Sequence, residues 1–292
     1  MLDLRELTAF GPVLADGGWG TELQKRGLAG GECPDLWNLT EPARVVDVAR
    51  SYAEAGSRVI LTNTFRANRV SLAGYGLADQ AAAINRAGAR LSREGAGGRA
   101  LVFASMGPTG KMLAADEIGA DEILAAFHEQ ALALAEGGAD ALLIETMSDP
   151  AEAALALEAT LATGLPVIVS FAFDTGRNKD RTMTGATPEQ AARQMEERGA
   201  HAVGANCGVG IAEYVPVCRR LRAATGLPLW IKPNAGLPEV VDGRAAYRTS
   251  PERFAASIPT LVEAGANFIG GCCGTDPEFI RAAARALVPP CA

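Results

Sequence analysis

Short apolar runs alternate along the chain with longer stretches in which apolar and polar positions recur at helical spacing. Eight such runs occur, at PVLADG (12–17), SRVILTNTF (57–65), ALVFASMGP (100–108), ADALLIETM (139–147), LPVIVSFAF (165–173), AHAVGANCG (200–208), LPLWIKPNAG (227–236) and ANFIGGCCG (266–274). Runs rich in Val, Ile, Leu and Ala are typical of parallel strands buried on both faces. The pattern therefore predicts eight strands alternating with helices, as in a (β/α)8 barrel.

Four helices between these runs have clear beginnings, and their segments are 40–56, 148–164, 187–199 and 250–265. Each segment opens with Ser or Thr, has Pro near its first turn and an acidic residue close by. Helix caps and the helix dipole favour this arrangement. These segments support the alternation of strands with helices.

An open doubly wound sheet has the same alternation, and the number of strands does not exclude it. A dinucleotide-binding sheet of that kind usually carries G-x-G-x-x-G after its first strand, whereas the first run here leads into DGGWGTEL (16–23), which has a different spacing. No low-complexity linker or abrupt change of composition interrupts the chain. We therefore expect one α/β domain, a (β/α)8 barrel over residues 1–292.

Composition and charge narrow the classes of partner. Hydrophobic residues make up 48% of the 292 residues, enough for a substantial core. The net charge of −7 and the lack of a Lys/Arg cluster argue against nucleic acid or an anionic membrane as a partner. The N-terminal segment resembles neither a signal peptide nor a membrane span, so we expect a cytoplasmic protein with no nucleic-acid or membrane partner.

Several residues with polar or reactive side chains fall at the C-terminal ends of the predicted strands. In a barrel these ends converge on one mouth. The positions are Asp16, Asn63, Thr64, Met106, Gly107, Glu145, Phe173, Cys207, Asn234, Cys272 and Cys273. Three thiols would then share one pocket, whereas Cys33, Cys218 and Cys291 lie away from strand ends.

The adjacent thiols of GGCCG (270–274) predict a metal site. Consecutive strand residues point to opposite faces, so we expect the strand to end at Cys272, with the glycines allowing a turn that directs both sulfurs to one point. Cys207, two strands away, would supply a third thiolate. Zinc suits thiolate ligands, and three protein ligands with one open position is the catalytic arrangement.

Other interpretations of these residues stay open. The adjacent cysteines could be small core residues, although the C-x-x-C pairs of a closed structural zinc site are absent. Asp16 could cap the helix that begins near Thr21, and Glu145 could be a satisfied buried acid or could pair with an arginine. Their shared position at strand ends favours a common site.

The motifs DGGWGTEL, LTNTF, GPTG, IET, GANCG, PNAG and GGCCGT occur in this order, and with them the chain resembles the homocysteine S-methyltransferase family over residues 12 to 288. The resemblance implies a zinc-dependent barrel enzyme that methylates the thiol of L-homocysteine to give methionine. Cys207, Cys272 and Cys273 match the family's zinc ligands and would form its catalytic centre.

The resemblance also implies substrate-binding residues. Asp16 and Glu145 match acids near the amino group of homocysteine, and Asn234 matches an asparagine close to the metal. The substrate carboxylate would meet backbone N–H groups in the Gly17-Gly18 turn.

The methyl donor is less clear from the motifs. GGCCGT and PNAGLP look most like the methionine synthase module, whose methylcobalamin donor here would need a separate corrinoid protein. Trp37 resembles a tryptophan of members that use onium donors, because indole faces attract such cations, but a packing role explains it equally well. Arg66 and Thr146 replace tyrosines of the animal betaine enzyme.

We expect a small onium donor of the betaine or S-methylmethionine type, with a corrinoid partner as the alternative. A protein that binds zinc and a thiol ligand without catalysis is a second alternative. Such a protein would be expected to lose an acid of the pocket, and Asp16 and Glu145 are both present.

Overall fold

The structure is a computed structural model that describes residues 2–237, 239–241 and 244–287. Cys291, which the sequence separates from the strand ends, lies outside the described residues. The strands are β1 (Val13–Leu14), β2 (Val59–Ile60), β3 (Leu101–Met106), β4 (Ala141–Met147), β5 (Val167–Phe171), β6 (Ala202–Gly210), β7 (Leu229–Asn234), β8 (Glu239–Val241), β9 (Arg244–Ala246) and β10 (Phe268–Ile269).

Helices follow most of the strands. They are α1 (Leu4–Leu7), α2 (Trp19–Lys25), α3 (Trp37–Thr40), α4 (Pro42–Ala55), α5 (Arg69–Ala73), α6 (Ala81–Ala96), α7 (Ala120–Glu136), α8 (Pro150–Leu161), α9 (Pro188–Glu197), α10 (Ile211–Ala224), α11 (Pro251–Ala256), α12 (Ile258–Glu263) and α13 (Pro277–Leu287), with short 3-10 helices at Pro34–Leu36, Ala78–Gln80 and Leu113–Ala115. In the part of the chain covered by these bounds, every helix is too short or too polar to cross a lipid bilayer.

Eight parallel strands form the barrel, in the order β1, β10, β7, β6, β5, β4, β3, β2. A single parallel bridge between Ala15 and Val59 joins the two ends of this order and closes the ring. The antiparallel pair β8–β9 is inserted between β7 and α11. The predicted (β/α)8 barrel is therefore confirmed, and all eight apolar runs contribute a strand.

The strands are shorter than the runs that predict them, and the difference matters at the last one. β10 ends at Ile269, three residues before Cys272, where the glycine argument places its end. Beyond Ile269 the chain leaves the regular ladder, and it turns between Cys272 and Thr275, whose N–H donates to the Cys272 carbonyl at 3.1 Å. The predicted turn exists, but the strand stops before it.

The helix predicted at 250–265 is two helices, α11 and α12. Pro259 has no N–H to bond back to the preceding turn and its ring clashes there, so the helix is interrupted at Ser257. Two predicted caps are present, because Thr187 forms a capping box with Gln190 and Ser250 accepts from the N–H of Arg253. The caps of α4 and α8 are instead Glu41 and Asp149.

The inside of the barrel has a lower layer and an upper layer. The lower layer, toward the N-terminal ends of the strands, is an apolar plug in which Trp230 packs against Phe103 and Phe268, with ring centroids 6.0 and 5.5 Å apart. The upper layer lies two residues further along the same strands, because alternate strand residues point inward. Four strands change from apolar to polar in this step: Phe103 to Ser105, Leu143 to Glu145, Ile168 to Ser170 and Trp230 to Lys232.

Candidate active site

A cavity of about 300 Å³ lies above the upper layer, at the C-terminal ends of the strands. This is the size expected of a small-molecule site, and the predicted mouth of a barrel enzyme is at this end. Its walls are formed by Gly17, Gly18, Trp19, Gly20, Thr21, Leu23, Pro34, Asp35, Leu61, Thr62, Asn63, Phe65, Arg66, Ser105, Glu145, Thr146, Cys207, Lys232, Gly271, Cys272 and Cys273.

Three thiols meet on this wall, and we call Cys207, Cys272 and Cys273 the thiol cluster. Their sulfurs all lie within 4.8 Å of one another, and the Sγ atoms of Cys207 and Cys273 are 3.9 Å apart. Within the described ranges, no other group of three Cys, His or acidic side chains is placed to hold a metal ion. Cys33 and Cys218 are buried elsewhere, and the Cys218 sulfur lies 3.5 Å from the Ala264 carbonyl.

Cys207 reaches the cluster through an irregularity in β6. Its φ is +64°, a left-handed conformation that is uncommon for a residue with a side chain and is often found at functional sites. The register of β6 with β7 shifts between Asn206 and Gly210, which marks a bulge. Tyr214 fixes this backbone, since its hydroxyl donates to the Cys207 carbonyl at 2.6 Å. A bulge of this kind redirects a side chain toward a site.

Cys272 and Cys273 are held by the turn that follows β10. The N–H of Cys273 donates to Asn234 Oδ1 at 3.1 Å, and Thr275 Oγ1 donates to the Cys272 carbonyl at 2.7 Å. Gly274 has a φ of +80°, and a Cβ there would lie 2.2 Å from the ring of Tyr247. Only glycine fits this position, directly after the two cysteines.

The charges of the thiol cluster are shared. Hydrogen bonds from the Cys272 and Cys273 thiols lower the pKa of Cys207 to about 3, with further help from the side chain of Asn234. The hydrogen bond with Cys207 and burial raise the pKa of Cys272 well above its ordinary value. The hydrogen bonds among the three sulfurs therefore favour the ionised form of Cys207 over that of Cys272, and a bound cation would favour the ionisation of all three thiols.

The thiol cluster fits a tetrahedral zinc ion. With Zn–S distances of about 2.3 Å, two sulfur ligands of tetrahedral zinc are about 3.8 Å apart. The 3.9 Å between the sulfurs of Cys207 and Cys273 is close to this value. The donor set consists of three soft sulfur atoms on a cavity wall, so an ion held by them would face the cavity.

Glu145 is the predicted acid that lies on the cavity wall. Ser105 Oγ donates to its Oε1, and Asn206 Nδ2 donates to its Oε2 at 3.1 Å. Asn206 is itself fixed, because its Oδ1 accepts from Ser170 Oγ at 2.6 Å and from the Thr146 N–H at 2.9 Å. Burial raises the pKa of Glu145 to about 7, partly offset by the positive charge of Lys232.

Asp16 does not line the cavity. It is fully buried, and its Oδ1 accepts from Lys232 Nζ at 2.5 Å. Its Oδ2 accepts from Trp19 Nε1 at 2.7 Å and from the Leu61 N–H at 2.8 Å. These donors occupy the carboxylate, so the structure places Asp16 behind the wall as the partner of Lys232.

Lys232 is absent from the sequence-based predictions, yet it lines the cavity, pairs with Asp16 and acts through its charge on Glu145. Its side chain is 1% exposed, and its ammonium lies 5.6 Å from the centre of the Trp230 ring. The signal that could have found it is a lysine within the apolar run LPLWIKPNAG, since a buried lysine needs a partner.

The remaining predicted residues have mixed positions. Gly17 and Gly18 line the cavity, but the N–H of Gly18 donates to Thr275 Oγ1 at 3.1 Å. Asn234 lies behind the thiol cluster and holds Cys273. Trp37 is not on the wall, because it is 6% exposed within the core and its ring lies 5.0 Å from the Arg44 guanidinium. The indole on the wall belongs to Trp19.

Comparison with known proteins gives consistent matches along the chain. A family model described as homocysteine S-methyltransferase matches residues 13–287. Methionine synthase of Mycobacterium leprae is 32% identical over 98% of this chain, and that of Mycobacterium tuberculosis is 31% identical over 98%. The chain spans about a quarter of the length of these relatives.

Among solved structures, the metallated form of the homocysteine methyltransferase MmuM from Escherichia coli superposes with a TM-score of 0.80. The two chains are 26% identical, and the match covers 97% of this chain and 99% of the other.

Proposed function

The chain belongs to the homocysteine S-methyltransferase family, and we propose that it is a zinc-dependent enzyme that transfers a methyl group from a small onium compound to the thiol of L-homocysteine, giving methionine. In this proposal the (β/α)8 barrel acts as one domain, and Cys207, Cys272 and Cys273 are the zinc ligands. The observation that carries the proposal is the thiol cluster on the wall of a cavity that Glu145 also lines.

Zinc held by three thiolates would take the substrate sulfur as its fourth ligand and favour the thiolate form at neutral pH. The chain's own residues orient the rest of homocysteine. Glu145, held by Ser105 and Asn206, faces the cavity and would accept the substrate's ammonium group. The apolar plug beneath excludes water from below, so that the reacting sulfur meets the donor from the open side of the cavity.

The wall offers apolar and aromatic contacts to the methyl-bearing cationic group of an onium donor. Trp19 and Phe65 both line the cavity, and aromatic faces attract sulfonium and quaternary ammonium groups. These residues replace Trp37 in the donor proposal, since Trp37 lies in the core.

The test is methionine formation from L-homocysteine by the zinc-loaded protein alone, with betaine, S-methyl-L-methionine, dimethylsulfoniopropionate and free methylcobalamin supplied in parallel. We expect turnover with at least one onium compound. If zinc and homocysteine bind but every onium donor is inert, the onium proposal is rejected.

A second candidate function is methyl transfer from methylcobalamin carried by a corrinoid protein. The methionine synthases similar to this chain are about four times its length, which leaves room for donor-carrying domains. Loops that follow β3, β5 and β7 expose Met112, Met183 and Leu237, with 47%, 56% and 61% of their surface accessible. Exposed apolar residues around a site are a feature of docking surfaces. Turnover that requires an added methylated corrinoid protein would favour this candidate.

A further inference from the structure

Lys232 is a buried cation with hydrogen-bonding capacity that the fold leaves unused. Its side chain is 1% exposed and lines the cavity. An ammonium group has three N–H donors, and among the described residues only Asp16 accepts from that of Lys232, through Oδ1 at 2.5 Å. The indole of Trp230 beneath it carries a donor and no acceptor. The remaining N–H donors of Lys232 are therefore available to a ligand in the cavity.

A ligand that meets these donors has to bring a negatively charged oxygen. A buried ammonium group is costly while its N–H donors lack acceptors, and a carboxylate forms strong, charge-assisted hydrogen bonds with it. The carboxylate of Glu145 stands in the same layer, but Ser105 and Asn206 already hold it. Burial raises the pKa of Glu145 to about 7 and the charge of Lys232 opposes this rise, so the two groups interact within the cavity. The floor of the cavity thus presents ammonium donors and a carboxylate acceptor together.

Other candidate sites for a ligand carboxylate are weaker. Gly18, in the turn that the sequence suggests for this role, already donates its N–H to the carbonyl and Oγ1 of Thr275, at 3.2 and 3.1 Å. Arg66 is the other cation among the described residues of the wall, but its side chain is exposed, where water weakens an ion pair. A buried ammonium group attracts an anion more strongly, because the local dielectric constant is lower. The buried position therefore favours Lys232 over Arg66.

Resting on the proposed methyl transfer to homocysteine, we propose that Lys232 binds the carboxylate of the methyl acceptor. The acceptor's ammonium group donates to Glu145, and the carboxylate on the same carbon accepts from the Lys232 ammonium group. Asp16 is then a positioning residue, because it holds that ammonium group from behind the wall. Lys232 and Glu145 together select an α-amino acid over thiols that carry only one of the two charges.

The test measures the binding of three thiols to the zinc-loaded full chain by calorimetry. They are L-homocysteine, 3-aminopropane-1-thiol, which lacks the carboxylate, and 4-sulfanylbutanoate, which lacks the ammonium group. Each brings a thiol on the same length of chain, so the contribution of zinc cancels when two Kd values of one protein are compared. We expect the wild type to bind each analogue about 10- to 100-fold more weakly than homocysteine, the value of one hydrogen bond between charged groups.

The informative variant is the double substitution Asp16→Asn with Lys232→Met, which leaves no charge buried at this position. The asparagine keeps an acceptor oxygen for Trp19 and Leu61, and the methionine keeps the length of the lysine without its N–H donors. Homocysteine and 3-aminopropane-1-thiol should then bind within about threefold of each other, whereas the preference over 4-sulfanylbutanoate should remain. Asp16→Asn alone keeps the lysine and should keep both preferences.

Two further variants serve as controls. Lys111→Gln changes an exposed lysine that does not line the cavity and should leave all three Kd values unchanged. Glu145→Gln should reduce the preference over 4-sulfanylbutanoate and keep the preference over 3-aminopropane-1-thiol. A double variant that still prefers homocysteine to 3-aminopropane-1-thiol would overturn the proposal, since Lys232 would then only neutralise Asp16. Loss of that preference in Arg66→Gln instead would also overturn it.

The failure of this proposal is distinguishable from the failure of the proposed function. Turnover with onium donors tests methyl transfer, whereas the Kd ratios test the contacts of the acceptor and need no donor. If every donor is inert while the ratios behave as expected, the onium proposal fails and the role of Lys232 is supported. If the wild type binds 3-aminopropane-1-thiol as tightly as homocysteine, the role of Lys232 is overturned without any variant. A wild type that does not bind homocysteine would overturn both.

Discussion

The lower and upper layers of the barrel interior stand on the same strands, yet they are opposite in character. Phe103, Trp230 and Phe268 pack ring against ring below, whereas Ser105, Glu145 and Lys232 stand above them. A step of two residues along a strand separates the layers. The apolar plug fills the base of the barrel, and the polar groups that can do chemistry lie one layer higher, where the cavity begins.

The comparison teaches how a buried polar layer is tolerated. Its members are satisfied by one another: Ser170 donates to Asn206, Asn206 donates to Glu145, and Lys232 pairs with Asp16. Burial of such groups is costly unless each finds a partner. The lower layer is apolar except for the indole N–H of Trp230, which has no partner among the described residues. Substitutions in the two layers should therefore fail for different reasons.

The largest effect on zinc binding and activity should come from a substitution in the thiol cluster, which lies on the cavity wall. Cys272→Ala should abolish tight zinc binding and lower methionine formation by about 10³-fold or more, roughly 4 kcal/mol of transition-state stabilisation. Metal analysis and an activity assay measure this. Cys218→Ala, a buried cysteine outside the cluster, should keep both zinc and activity. Retention of both properties in Cys272→Ala would show that the thiols do not hold the metal.

The second-largest effect should be a loss in the free energy of unfolding. Lys232→Met leaves the fully buried Asp16 without its cation, and breaking a buried pair in this way costs about 3–5 kcal/mol. Urea unfolding gives the value. The double variant Asp16→Leu with Lys232→Met should recover a large part of the loss, because no charge then stays buried. Additive losses in the double variant would argue that packing, not charge, dominates this position.

Glu145→Gln should separate substrate binding from folding. Removing the charge should raise KM for homocysteine by about 10- to 100-fold, because an amide oxygen accepts from an ammonium group more weakly than a carboxylate does. Glu152→Gln is the matched control, since Glu152 is also buried but accepts from Thr109 away from the cavity wall. Similar KM changes in both variants would contradict a specific contact with homocysteine.

The smallest effect concerns pH. The pKa of Glu145 is raised to about 7, so the carboxylate is ionised above that pH and protonated below it. Since only the ionised form attracts the ammonium group, KM for homocysteine should rise as pH falls from about 8 to about 6, by at most about tenfold per pH unit. Ser105→Ala removes a hydrogen bond to the ionised form and should move the midpoint to higher pH. A KM that does not change over this interval would exclude Glu145 as the titrating contact.

The sequence by itself determined the eight strands and the placing of the thiols at strand ends. Strand periodicity is a local property, and in a barrel the carboxyl ends of all strands share one mouth. The convergence of strand ends therefore predicts, without any known tertiary contact, that the thiols of Cys207, Cys272 and Cys273 meet. Pro259 is visible in the sequence as a residue that interrupts helices, although the pattern at 250–265 predicts one helix.

Only the tertiary structure decided which polar residues face the cavity and which face one another. Asp16 and Lys232 are 216 residues apart and pair because β10 places β1 near β7. In this pair Asp16 lies behind the cavity wall, whereas Lys232 lines the wall. Trp19 and Trp37 follow the same strand, but only Trp19 reaches the cavity. Composition shows which chemical groups are available, whereas strand order and register determine which of them become neighbours, and these are properties of the closed barrel.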